Sequence, residues 1–246
     1  MNRREFTMTS ALGITGSLLF GCADTKIFPF KKNQVIACIG DSVTYGGGNG
    51  YVEILQKLAD KKHPDLNLSF LNWGKSSETI TGLTEVGHPG PRPYLFERLD
   101  ELLSSKKVDI VMFCYGINCG IYGKPSQKLF DSFQIGVLSF LQKVKAKNLK
   151  AILLTPPPLT LDTAPIEINL DEEFTWMNPY PKYDEEVIQE FKETILTVKH
   201  DALLTSIDIH SPLLKNQAVC YDKDPIHPNL NGHQLIADTI IGNLVF

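Results

Sequence analysis

Apolar residues recur along this chain in runs at 34–39, 66–73, 108–115, 150–155 and 202–209. The first, Gln34 to Ile39, is apolar almost throughout, as expected of a parallel strand covered on both faces. Between the runs the pattern changes to helical spacing. In Tyr51 to Lys62 the apolar face is Tyr51, Ile54, Leu55 and Leu58, with Glu53, Gln56 and Lys57 opposite. Leu95, Leu99, Leu102 and Leu103 mark a second helix, and Leu129, Phe130, Phe133, Val137, Phe140, Leu141 and Val144 the inner face of a long one from about Gln127 to Lys147. Tyr183 to His200 and Leu230 to Val245 read as two more. Strands alternating with helices predict a three-layer α/β/α sandwich around a five-stranded parallel sheet, with right-handed crossovers and no second domain.

The connections carry their own information. Residues 76–93, rich in Gly, Pro, Ser and Thr, read as a surface loop, and Gly120 to Ser126 as another. Pro156-Pro157-Pro158 stops the fourth strand, because proline brings no amide to the ladder. From there to Lys182 the chain is polar, irregular and aromatic, with Phe174, Trp176 and Tyr180. So long a loop inside a domain is commonly functional.

The chain has 246 residues, 43% hydrophobic and 21% charged, which suits a globular domain with a sizeable core. Its formal charge of −4 argues against a nucleic-acid partner, since phosphate binding requires clustered Lys and Arg. The six histidines are scattered, no cysteine spacing suits zinc, and no His-Glu-x-x-His occurs, so neither a metal nor another cofactor is expected. Absence of Gly-x-Ser-x-Gly disfavours a nucleophile elbow. Cys38 and Cys114 lie inside apolar runs and read as small core residues.

The N-terminal residues change the cellular picture. Arg3-Arg4-x-Phe6 before a weakly apolar run from Met8 to Phe20 resembles a twin-arginine export leader over residues 1–21, too short to span a membrane. Leu19-Phe20-Gly21-Cys22 resembles a bacterial lipobox, which implies acylation of Cys22 and a membrane attachment through lipid. Residues 22–33 then read as a tether to a domain over 34–246, in an exported protein held at the periplasm or cell surface. Export also permits a disulfide between Cys119 and Cys220.

Candidate chemistry gathers at strand ends. Gly40-Asp41-Ser42 follows the first run and precedes Gly46-Gly47-Gly48. A serine hydroxyl there is a candidate nucleophile if an imidazole takes its proton and a carboxylate orients the imidazole. Asp224-Pro225-Ile226-His227 offers both; Asp222 is the competing carboxylate, and spacing favours Asp224. Asn72-Trp73-Gly74 and Gly116-Ile117-Asn118 end the second and third runs.

Together, Gly40-Asp41-Ser42, Gly74, Gly116-x-Asn118 and Asp224-x-x-His227 resemble, in order and spacing, the four blocks of the SGNH (GDSL) hydrolases, whose fold is flavodoxin-like. The resemblance spans nearly all of the chain after the leader. It departs at Cys119, where the family usually has aspartate. It implies an esterase with Ser42 as nucleophile, His227 as general base and acid, Asp224 as its partner, and an oxyanion hole of the Ser42 and Gly74 amides with the Asn118 side chain. The stretches around Asn118 and Asn178 resemble bacterial members that deacetylate carbohydrates, which makes a glycan or small-molecule ester the expected substrate. A lysophospholipase or thioesterase of the same fold is the nearest alternative. A non-catalytic glycan-binding surface lipoprotein is the alternative from another class.

Overall fold

The structure, a computed structural model, describes residues 30–105 and 107–244. The leader, the Cys22 lipidation site and the tether as far as residue 29 lie outside the described residues. Strands β1 (Val35–Gly40), β2 (Ser69–Gly74), β3 (Ile110–Cys114), β4 (Lys150–Leu154) and β5 (Leu203–Ile207) form one parallel sheet in the order β2-β1-β3-β4-β5. The chain between them forms α1 (Ser42–Tyr45), α2 (Tyr51–Lys62), α3 (Leu99–Ser105), α4 (Gln127–Ala146), α5 (Gln189–Thr197), α6 (His210–Lys215), α7 (Gln217–Cys220) and α8 (Leu230–Asn243).

The pleat sorts the strand residues into two cores. Ala37, Ile39, Val111, Phe113, Ala151 and Leu153 pack with α3, α4 and α5; Ile36, Cys38, Met112, Ile152 and Leu154 pack with α2, α6 and α8. Successive side chains point to opposite faces, so a strand apolar at every position is what two covering layers require. This is the expected three-layer sandwich. The sheet neighbours of β1 are β2 and β3, reached through helices on opposite faces, so its C-terminal end is the switch point where open parallel sheets place ligands.

Several local expectations are revised. The folded chain begins before residue 34, since Phe30 is 5% exposed and belongs to the α2–α8 core. Strand β2 starts at Ser69, after a short turn at Pro64–Leu66. The predicted helix at 183–200 opens with one wide turn, Asp184–Ile188, and is regular only from Gln189. Helices α6 and α7 were not expected. Residues 76–93 are more than a surface loop: Glu78, Thr79, Glu85 and Arg92 are buried, and the segment is closed at its base by Thr79 N–H to Pro93 O (2.9 Å) and Leu95 N–H to Thr79 O (3.0 Å). Cys119 and Cys220 are both free thiols on opposite faces of the sheet, so no disulfide joins them.

Candidate active site

Gly40 ends β1 and Ser42 begins α1, leaving one residue for the turn. Asp41 makes that turn: its Oδ1 accepts the Val43 amide at 3.0 Å, capping the helix and fixing the chain behind Ser42. A side chain on Gly40 would collide with the Cys114 carbonyl and Thr44, so glycine is required where β1 passes beneath the turn. Burial pushes the Asp41 carboxyl up to about 7, although the Val43 amide and the His227 ring act in the other direction.

The loop before α8 brings the imidazole from the other end of the chain. Asp224 Oδ1 accepts the amides of Ile226 (2.8 Å) and His227 (3.2 Å), folding the loop around the carboxylate. A second hold comes from the long irregular segment, where Thr160 N–H donates to Pro225 O at 3.0 Å. His227 Nδ1 then lies 2.6 Å from Asp224 Oδ2, and its Nε2 lies 2.9 Å from Ser42 Oγ. An ionised carboxylate only accepts, so Nδ1 carries the proton and Nε2 is left to accept from the serine. Such an imidazole can take the hydroxyl proton as Ser42 attacks. The Asp224 hydrogen bond raises the His227 pKa, and partial burial does not cancel it. Burial raises the Asp224 carboxyl, but bonds from His227 and the Ile226 amide outweigh this and leave it below the usual range. Asp222 is engaged elsewhere: its Oδ1 accepts from Asn229, the residue that caps α8.

Asn118 reaches the same place from the loop after β3. Its Oδ1 accepts from Tyr122 Oη at 2.9 Å, while Nδ2 is buried without a protein partner among the described residues. The amide is thereby oriented with its donors free. Tyr122 is itself held by stacking on Tyr183, whose hydroxyl donates to Ile117 O (2.9 Å) and accepts the Gly120 amide (3.1 Å). Cys119, in the position where aspartate was expected, is buried in the core and burial pushes its thiol up to about 12.

Gly74 is not brought to the cleft. Its amide donates to Asn72 Oδ1 at 3.0 Å, and a Cβ there would run into the Tyr45 backbone. The glycine allows the end of β2 to pack on α1, which corrects its assignment as an oxyanion donor. Just beyond it Ser76 and Ser77 line the cleft, and Ser77, three positions after Gly74, has a left-handed φ of 64°. Glycine ordinarily occupies such a backbone position, and a serine there hides the signal from a search for glycine blocks.

Ser42, Asn118 and His227 line a cleft of about 440 Å³ with Ser76, Ser77, His88, Pro89, Arg92, Tyr122, Trp176 and Ile226. Sequence reasoning missed His88, Arg92 and Tyr122, because their loops carry no periodicity. No cluster of potential metal ligands occurs among the described residues, and no described helix is long and apolar enough to cross a membrane.

The model of the GDSL-like Lipase/Acylhydrolase family matches residues 38–235. Among solved structures, the chain is similar to Axe2, an acetylxylan esterase from Geobacillus stearothermophilus, at 20% identity and TM-score 0.65, covering 89% of this chain and 97% of that one. It is similar to LAE5, an alpha/beta hydrolase enzyme from the metagenome of Lake Arreo, Spain, at 18% identity and TM-score 0.60, with 87% and 96% covered. No curated protein matches.

Proposed function

Because this chain belongs to the GDSL-like lipase/acylhydrolase family and is a serine carboxylic ester hydrolase, we propose that its substrates are short-chain esters, chiefly acetyl esters of carbohydrates. The observation that carries this reading is the make-up of the cleft wall. Beside Ser42 stand Ser76, Ser77, His88, Arg92, Tyr122 and Trp176, and the aliphatic residues are Pro89 and Ile226. A long acyl chain gains about 0.8 kcal/mol for each methylene it buries, and so needs a continuous apolar groove. Two aliphatic side chains do not make one. A flat aromatic side chain among hydroxyl and imidazole groups suits a sugar ring, and Trp176, 40% exposed, is open to such contact. The likeness to an acetylxylan esterase supports the same direction.

In this reading Ser42 Oγ attacks the ester carbonyl carbon while its proton passes to His227 Nε2. The tetrahedral intermediate places its oxyanion against the Asn118 Nδ2 donors and the backbone amides of Ser42 and Ser77. Collapse breaks the bond to the alkoxide, which leaves with the proton from His227. Water then attacks the acyl-enzyme, gives a proton to His227, and the second collapse returns that proton to Ser42 as the acid departs. Asp224 stabilises the imidazolium in both halves.

A p-nitrophenyl ester series from acetate to decanoate, followed by acetylated xylo-oligosaccharides, tests the substrate class. Preference for acetate, abolished in Ser42→Ala, is expected. Val86 and Met177, neighbours in sequence of His88 and Trp176, are exposed apolar residues and favour the lysophospholipase or thioesterase alternative. A maximum at octanoate or beyond would establish that alternative.

Export and lipid attachment belong to the proposal too, and the Arg3-Arg4 leader and the Leu19-Phe20-Gly21-Cys22 stretch support them. Mass spectrometry of the mature N-terminus should find an acylated Cys22, and Cys22→Ala should release the protein from membranes.

A further inference from the structure

We propose that Arg92 is a positioning residue for the oxyanion site, anchoring the Ser77 and Asn118 arms of that site together, with Glu85 holding it in place. The proposal rests on the esterase reading above. The side chains of Arg92 and Glu85 are 2% and 1% exposed. Arg92 Nε and Nη2 donate to Glu85 Oε2 and Oε1 at 2.6 and 2.5 Å. The remaining nitrogen, Nη1, donates to the Ser77 carbonyl at 3.2 Å. The guanidinium carbon also lies 5.7 Å from the centre of the Tyr122 ring, and the Tyr122 hydroxyl is what orients Asn118.

One cation therefore touches both arms. At Ser77 it bonds the carbonyl of a residue in a left-handed backbone conformation, which serine adopts only at a cost in strain. At Tyr122 it packs against the ring whose hydroxyl turns the Asn118 donors toward the cleft. Burying a charge pair is seldom the stable solution, since apolar residues of similar volume commonly serve as well or better. What apolar residues do not supply is a planar fork with fixed donor directions, and lysine does not supply it either. The main chain around Arg92 is anchored as well, its amide donating to Thr84 Oγ1 at 2.9 Å.

The test compares wild type, Ser42→Ala, Arg92→Lys and the paired variant Arg92→Met with Glu85→Leu, all on p-nitrophenyl acetate. Arg92→Lys keeps the ion pair and tests the fork; the paired variant removes both charges so that neither is left buried alone. Expected is a loss of kcat of about tenfold for Arg92→Lys and about a hundredfold for the paired variant. KM should stay within about threefold, and the pH midpoint of kcat/KM should not move, because Ser42, His227 and Asp224 are untouched. The Tm of Arg92→Lys shows whether the fold is retained, so the proposal stands or falls on that variant if the paired one does not fold. Wild-type kcat in a folded Arg92→Lys variant, or a displaced pH midpoint, would overturn the role of Arg92 while leaving the esterase reading in place. A wild type that turns over no ester would overturn both.

Discussion

Tyr122 Oη donates to Asn118 Oδ1 at 2.9 Å, and this bond decides which way the asparagine amide faces. Tyr122→Phe keeps the ring, its stacking on Tyr183 and the cleft wall, but releases the amide. A fall in kcat of about tenfold with little change in KM is expected, against about 10²–10³ for Asn118→Ala, which removes the donor outright. Steady-state kinetics on one acetyl ester separates the two.

The pH profile follows from His227. Its Asp224 bond raises its pKa above the ordinary histidine value, and only the neutral imidazole can accept the serine proton. Activity should therefore rise with pH through a midpoint above about 6.5. Asp224→Asn removes the charge that raises this pKa and favours the wrong tautomer, so the midpoint should fall and kcat should drop by about 10³–10⁴.

Gly74 and Ser77 make opposite predictions from those of a glycine-block reading. Gly74→Ala drives a methyl group into the Tyr45 backbone and should cost folding, visible as low soluble yield or a large fall in Tm. Ser77→Gly relieves a left-handed residue while keeping its amide, so kcat should remain within about twofold and stability should change by no more than about 1 kcal/mol. A normally folded Gly74→Ala enzyme with its kcat reduced a hundredfold or more would restore Gly74 to the oxyanion site.

Beneath the cleft, Glu78 is fully buried and accepts from Arg98 Nε (2.7 Å), Arg98 Nη2 (2.6 Å) and Tyr115 Oη (2.5 Å). Arg98 also donates to the Trp73 carbonyl at 2.8 Å, tying the network to the end of β2. Arg98→Ala strands the carboxylate and should destabilise the fold by about 3–5 kcal/mol, read from the urea midpoint at unchanged m-value.

His233 governs a different pH effect. Burial lowers its pKa to about 4, the Glu53 charge opposing and the His227 charge adding to the shift. Its ring stacks on Tyr51 and is 8% exposed. The unfolded chain binds this proton at about pH 6.5 and the folded chain only near 4, so stability is lost as pH falls between those values. A Tm-versus-pH curve for His233→Gln should be flatter than wild type across that window.

What the sequence determined by itself is whatever short-range pattern encodes. The central runs, Val35 to Ile39, Ile110 to Tyr115 and Ala151 to Leu154, are apolar at every position, which requires a sheet covered on both faces, and the helical spacing between the five runs requires crossovers, so the sandwich was legible from pattern alone. Ser42 and the Asp224–His227 pair were legible because each sits at a strand or helix end with its partner types nearby, and Asn118 because it ends the third run. Gly74 was misjudged for an instructive reason: its sequence context is that of a site glycine, yet its amide is taken by Asn72 two residues away. Which of several polar groups faces the cleft depends on backbone direction, and Ser77 reaches it through a left-handed φ that its residue type does not announce. Only the tertiary structure decided that Arg92 and Glu85 meet in the interior, that Tyr122 turns Asn118, and that Cys119 and Cys220 lie on opposite faces of the sheet. The first two are contacts inside aperiodic loops, and the third depends on which layer of the sandwich each cysteine joins. Their geometry is set by which strand ends the sheet order places side by side, a long-range property that no local pattern of apolar and polar residues contains.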